Sequence, residues 1–179
     1  METNVEAIET RPTFSGIRRI IFGKHPDRTL IRLCVLLVVT FVSFRYILLP
    51  IQVSGISMSP TYRNGAVNMV NKLSYARSEP KRGDVVALRV TEKRAGEIPE
   101  NVLFLKRIVG LPGEEIMIKY GKLYVNGERH PETYPHTTYP ISYKPRKLND
   151  SEYFVIGDNR RDSVALAVDK VQIIGKVLF

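Results

Sequence analysis

The apolar run at residues 30–49, LIRLCVLLVVTFVSFRYILL, constrains this chain more than any other feature. At about 1.5 Å of rise per residue, twenty helical residues span the hydrocarbon core of a bilayer. Arg32 and Arg45 interrupt the run. Each lies within a turn or two of an end, where a long side chain reaches the headgroups. A buried core helix is the alternative reading, and the flanks argue against it. From Arg11 to Arg32 there are six Lys or Arg and a single acid, Asp27, and basic flanks stay on the cytoplasmic side. The run is longer than the apolar region of a cleaved export signal, and no small-x-small site follows it. Three glutamates in the first nine residues disfavour an organellar transit peptide. The expectation is a basic cytoplasmic segment at 1–29, a single transmembrane anchor at 30–49 in the inner or plasma membrane, and an exported domain at 50–179.

The soluble part is long enough to bury a core without disulfides. Cys34 is the one cysteine, so neither an intrachain disulfide nor a four-cysteine zinc site can form. The net charge is +9, about a third of it from the first 49 residues. Such a surface suits a neighbourhood of anionic lipid. Nucleic-acid binding would need basic residues gathered on one face with aromatic or groove-reading elements, and no such cluster or motif is present.

After Pro50 the texture changes to short runs rich in Val, Ile and Tyr, broken by Gly and Pro. Strands are expected at 51–53, 66–70, 84–90, 102–109, 115–119, 122–125 and 152–156, with a last strand pair or bent strand at 171–179. Tyr120-Gly121 reads as a two-residue hairpin loop and Asn126-Gly127 as the next turn. Residues 128–150 hold Pro131, Pro135, Pro140 and Pro145 and read as a loop-like insertion with little strand character. No amphipathic helix and no internal repeat is evident. The fold class is mainly β, a coiled antiparallel sheet behind one helix.

Three segments carry possible chemistry: Ser54-Gly55-Ile56-Ser57-Met58-Ser59-Pro60-Thr61, then Phe104-Leu105-Lys106-Arg107-Ile108-Val109-Gly110-Leu111-Pro112-Gly113-Glu114, then Gly157-Asp158-Asn159-Arg160-Arg161-Asp162-Ser163. A serine hydrolase needs a nucleophile, a base and oxyanion donors. His25 falls on the cytoplasmic side. His130 and His136 fall in the proline-rich insertion, where a solvated role fits best and no third ligand accompanies them for a metal. Lysine is the other base that pairs with serine, provided burial lowers its pKa. Phe104, Lys106 and Ile108 share one strand face by the period of two, so Lys106 sits between apolar neighbours. Alone, Ser57 reads as a turn residue and Lys106 as a solvated lysine.

Together these blocks, with Arg82-Gly83-Asp84-Val85-Val86 between them, closely resemble the type I signal peptidases. Those are membrane-bound Ser-Lys proteases that remove signal peptides from exported proteins. The resemblance covers nearly the whole chain in order. It implies a sheet of the signal-peptidase and repressor-protease type, and no cofactor. It also implies Ser57 as the nucleophile, its own N–H serving the oxyanion, and Lys106 as general base. Ser163 would orient the lysine amine, and Asp158 and Arg160 would support the site by charge pairing. Met58, Phe104, Leu105 and the strand from Ile51 to Val53 would line small pockets that accept Ala-x-Ala. The implied partners are signal peptides of exported preproteins and membrane lipid, with the secretion machinery a further candidate.

Two departures stand out. Gly55 occupies a position where some members carry a serine whose hydroxyl completes the oxyanion hole. After Ser163 the family usually continues with an acid and an arginine at positions held here by Ala165 and Ala167, and whether Asp169-Lys170 replaces that pair is open from the sequence. Alternatives are a narrow-substrate, conjugation-type processing peptidase of the same fold, and a catalytically inert signal-peptide-binding paralogue.

Overall fold

A computed structural model describes residues 26–92 and 100–178. The basic segment expected at 1–29 lies outside the described residues up to position 25. The described chain begins with helix α1, Pro26–Val42, and a single π-type turn, Ser43–Ile47. Proline at the first helical position costs no hydrogen bond. The stretch Asp27–Ile47 has a mean hydropathy of 2.1, long and apolar enough to cross a membrane. Its large side chains are exposed, from Leu30 through Phe41 to Tyr46.

Helical structure ends sooner than the apolar run. Strand β1, Leu48–Gln52, begins two residues inside the segment expected to be the anchor. Pro50 is the reason: a residue preceding proline avoids the α region, and proline in a sheet belongs on an edge. β1 is an edge strand. Leu49 and Ile51 pack on a core cluster with Met58, Val70, Val85, Ala87 and Val177.

The remaining strands are β2 (Val67–Asn71), β3 (Val85–Glu92), β4 (Glu100–Gly110), β5 (Glu115–Lys119), β6 (Lys122–Val125), β7 (Glu128–Arg129), β8 (Tyr143–Lys147), β9 (Glu152–Ile156), β10 (Leu166–Asp169) and β11 (Ile173–Val177). They form a seven-stranded sheet, β1-β2-β11-β3-β4-β9-β10, and a four-stranded sheet, β7-β6-β5-β8. Every pairing is antiparallel. The expected hairpin at Tyr120-Gly121 joins β5 to β6, with φ of 50° and 75°. A cluster of Val109, Ile116, Ile118, Leu123, Leu148, Phe154 and Ile156 draws on both sheets.

Three strands lie where none was expected. β7 and β8 fall inside 128–150, which is therefore not a plain loop. β8, Tyr-Lys-Pro-Arg-Lys, is exposed at all but its first position, so no alternation marks it. An edge position tolerates its Pro145. β10 is only Leu-Ala-Val-Asp, and its Ala167 and Asp169 are residues that strands otherwise avoid. The last segment is a 3₁₀ turn, Lys170–Gln172, followed by β11. β11 inserts between β2 and β3, with an irregularity between Ile173 and Gly175.

Candidate active site

Ser57 lies on the loop from β1 to β2. Ser, Gly, Pro and Asn make that loop turn tightly: Ser59 N–H donates to Ile56 O (3.0 Å), Tyr62 N–H to Met58 O (3.0 Å) and Gly55 N–H to Asn64 Oδ1 (2.9 Å). Met58 plugs this loop into the core at 1% exposure. The Ser57 side chain is half-buried and has no hydrogen-bond partner among the described residues. The Ser57 N–H likewise donates to none of them.

Lys106 belongs to β4, opposite Val86 of β3. β4 runs between β3 and β9, so Lys106 is only 5% exposed. Its Nζ donates to Ser163 Oγ at 2.8 Å, and no ion pair reaches it among the described residues. Burial holds its pKa below the usual lysine value. Ser163 Oγ also accepts the Gly157 N–H at 2.7 Å. The hydroxyl is thus fixed from two sides and presents one acceptor to the amine. Gly157 itself is dictated by crowding. A Cβ there would lie 2.2 Å from Ser57 O and 2.5 Å from Ser163 Oγ. Only a residue without a side chain lets both loops approach.

A buried charge network surrounds the loop from Gly157 to Ser163. Asp158, at 0% exposure, accepts Arg107 Nε (2.7 Å) and Nη2 (2.6 Å), and also the Thr61 hydroxyl. This ties β4 to the loops bearing Ser57 and Ser163. Arg160 pairs with Glu132 and donates from Nε to Gly157 O (3.2 Å). The Thr137 hydroxyl accepts the Arg160 N–H at 2.9 Å. Burial would raise the Glu132 pKa, but hydrogen bonds from Arg160 and Tyr134 hold it below the usual carboxylate value. Asn159 stitches the loops directly, its N–H to Ser57 O (3.0 Å) and its Nδ2 to Ile56 O (3.2 Å).

Two clefts meet at Ser57. The first, of about 310 Å³, is lined by Ile51, Val53, Met58, Leu103, Phe104 and Leu105 among others. The second, of about 480 Å³, is lined by Gly55, Ile56, Lys106, Val164 and Leu166 among others. Ser54, Ser57 and Phe104 wall both.

Ser57 and the five expected pocket residues line the first cleft, Ser57 and Lys106 the second, and Ser163 accepts the Lys106 amine. Asp158 and Arg160 do not pair with each other. Their partners, Arg107 and Glu132, were not singled out from the sequence, nor were Thr61, Thr137 and Asn159. Arg107 carried a signal: a charge on the opposite face of a buried strand requires an acid. Glu132, in an irregular segment, carried none. Arg82 and Glu114 pair with each other at 2.6 Å, and Glu114 also accepts Leu111 N–H, so those motif residues brace the scaffold.

The stretch after Ser163 also finds its explanation. Ala165 and Ala167 pack on the cluster that includes Phe154 and Ile156, and Ala165 N–H donates to the Tyr143 hydroxyl at 3.2 Å. Apolar packing holds both positions. Asp169 and Lys170 do not supply the family's ion pair, because they bond to Ser151 and Glu79.

Fold and site together define a mainly β protein with an apolar helix at its head and an open cleft that holds a free serine hydroxyl and a buried lysine. Residues 27–179 match the family described as signal peptidase, peptidase S26, and the chain belongs to that family. It is 36% identical over 107 residues to a probable signal peptidase I-2 of Synechocystis sp., covering 60% of this chain and 49% of that protein. It is 34% identical over 108 residues to a signal peptidase I of Leptolyngbya laminosa, covering 60% and 53%. With signal peptidase IB of Staphylococcus aureus it shares 29% over 174 residues, covering 84% and 86%. The matched part thus spans about half the length of the first two relatives. A solved signal peptidase I structure from Enterococcus faecalis V583 matches with a TM-score of 0.45 and 22% identity, over 55% of this chain and 97% of that one.

Proposed function

We propose that this protein is a membrane-anchored serine endopeptidase that removes N-terminal signal peptides from exported preproteins after small residues, in the Ala-x-Ala pattern. Ser57 is the nucleophile and neutral Lys106 its base. The observation that carries the reading is the Lys106 amine: buried, free of any carboxylate among the described residues, and held by Ser163 beside the cleft that Ser57 lines. A neutral amine has a lone pair to accept a hydroxyl proton, which an ammonium lacks.

The Ser57 oxygen attacks the scissile carbonyl carbon as Lys106 takes its proton. The tetrahedral oxyanion is met by the Ser57 N–H, which has no acceptor among the described residues. Collapse breaks the peptide bond, and the lysine proton leaves with the amine of the mature chain. Water then gives a proton to Lys106 as it attacks the ester carbon, and that proton passes to the Ser57 oxygen as the acid leaves. Gly55, at φ +96°, suits a conformation that L side chains rarely adopt. Position 55 therefore supplies no hydroxyl as a second oxyanion donor. The small residues before the scissile bond would take the first cleft, which Met58, Leu105 and Val53 help to line. The unpaired edge of β1 offers main-chain groups to an extended peptide. Asp158 and Arg160 act in support through Arg107 and Glu132. Helix α1 crosses the inner or plasma membrane with the basic segment in the cytoplasm and the β domain on the exported side. The apolar packing of Ala165 and Ala167 weighs against an inert paralogue.

Cleavage of a preprotein with an Ala-x-Ala site by the detergent-solubilised full chain tests this. Ser57→Ala and Lys106→Arg should each abolish product, since an arginine cannot yield its proton. Normal turnover by Lys106→Arg would sink the assignment of the base.

A further inference from the structure

We propose that the second cleft is a subsite for an apolar residue on the mature side of the scissile bond, read by Ile56, Val164 and Leu166. This rests on the signal-peptide-processing reading above, and extends it to the substrate residues beyond the cleavage site.

The geometry begins from the shared walls. If the residues preceding the scissile bond occupy the first cleft along β1, the bond itself lies over Ser57. An extended peptide advances about 3.3 Å per residue, so the residues just after the bond leave the first cleft. They enter the second, which starts from the same Ser54, Ser57 and Phe104. That cleft is the larger, about 480 against 310 Å³, so it admits bulk that the first does not.

Its chemistry is apolar by construction. Val90, Phe104, Ile56, Val164 and Leu166 line it, with Asp162 as its single acid and Lys106 as its single base. Ile56 is 53% and Val164 65% exposed. Lone exposed apolar residues are ordinary, but several converging on one concavity mark a binding surface. The strand behind them explains how they come to face it. Ala165 and Ala167 turn to the cluster with Phe154 and Ile156, while Leu166 and Val168 turn to the other core cluster with Phe104 and Val90. Val164, just before the strand, lines the same cleft as Leu166. The same departure that replaces an ion pair by two alanines leaves a valine and a leucine on the cleft wall. An acidic mature-side residue would meet Asp162 with like charge.

The test uses the full chain in detergent and preproteins that share one Ala-x-Ala site. Leu, Gly or Asp stands at the first or the second position after it. At one of the two positions, kcat/KM should favour Leu over Gly by about tenfold, the lower end of what one apolar side chain in a pocket supplies. Asp should fall below Gly. Val164→Ser and Leu166→Ser should each draw the Leu-to-Gly ratio toward one. Val164 is exposed, so its replacement leaves the core intact. A ratio within twofold of one at both positions, or a ratio unchanged in both variants, overturns the proposal. So does a ratio that vanishes when detergent is exchanged for phospholipid vesicles, which would give Ile56 and Val164 to lipid. Ser57-dependent cleavage with a flat ratio defeats this inference alone. Absence of Ser57-dependent cleavage on every substrate defeats the underlying reading as well.

Discussion

Replacing Asp158 by asparagine removes the charge on which β4 and two loops converge. The carboxylate is fully buried and Arg107 nearly so, at 0% and 8% exposure. Two parallel hydrogen bonds of 2.7 and 2.6 Å join them, and the Thr61 hydroxyl adds a third contact. Removing one partner of such a pair costs about 3–5 kcal/mol, because the other charge stays buried without compensation. Asparagine keeps one acceptor oxygen, and Arg107 keeps its bond to Gly83 O (2.7 Å), so the lower end, about 3 kcal/mol, is expected for Asp158→Asn. For a domain of this size that lowers Tm by roughly 10 °C. Urea unfolding of the solubilised protein, Asp158→Asn, Arg107→Met and the double variant forms a closed cycle. The double variant should lose less than the sum of the singles by more than 1 kcal/mol or so. Activity should fall with stability, since the neighbouring Asn159 N–H holds Ser57 O. A single variant within about 0.5 kcal/mol of wild type, or strict additivity in the double, would refute the reasoning.

Gly157→Ala should push apart the loops bearing Ser57 and Ser163, whose atoms stand 2.2 and 2.5 Å from the added methyl position. A shift of about 1 Å costs on the order of a hundredfold in rate, read as a fall in kcat; unchanged turnover would mean the loops yield without cost. Burial lowers the Lys106 pKa, so the reactive neutral form grows as pH rises. The acid limb of kcat/KM should therefore lie below free lysine's titration and vanish from any residual activity of Lys106→Met. The same depression means that the unfolded chain binds the extra proton. Wild-type stability relative to Lys106→Met should therefore be highest above about pH 10.4, the unfolded lysine value, and decline as pH falls through the folded one. Urea midpoints at several pH values that differ by a constant would contradict it.

The features legible without coordinates are local ones. The run at 30–49 announces its helix by length. The Tyr120-Gly121 hairpin follows from turn chemistry, and β4 and β9 from β-rich runs bounded by glycine. Phe104 and Ile108 flank Lys106 on the same face, which makes it a candidate for burial but does not by itself outweigh a solvated lysine. Ser57, Lys106 and Ser163 could be marked because a linear motif carries them.

Tertiary structure decided the rest, because register and pairing across a sheet depend on packing far along the chain. β8 and β10 exist through their neighbours, with no alternation or propensity of their own to declare them. β11 finds its place between β2 and β3 only when the sheet closes. Asp158 takes Arg107 from 51 residues away, and Arg160 takes Glu132 from 28. In one dimension every acid is an equal candidate for every base. Burial makes the choice, since a charge removed from water keeps its fold only beside the partner that the backbone brings to it.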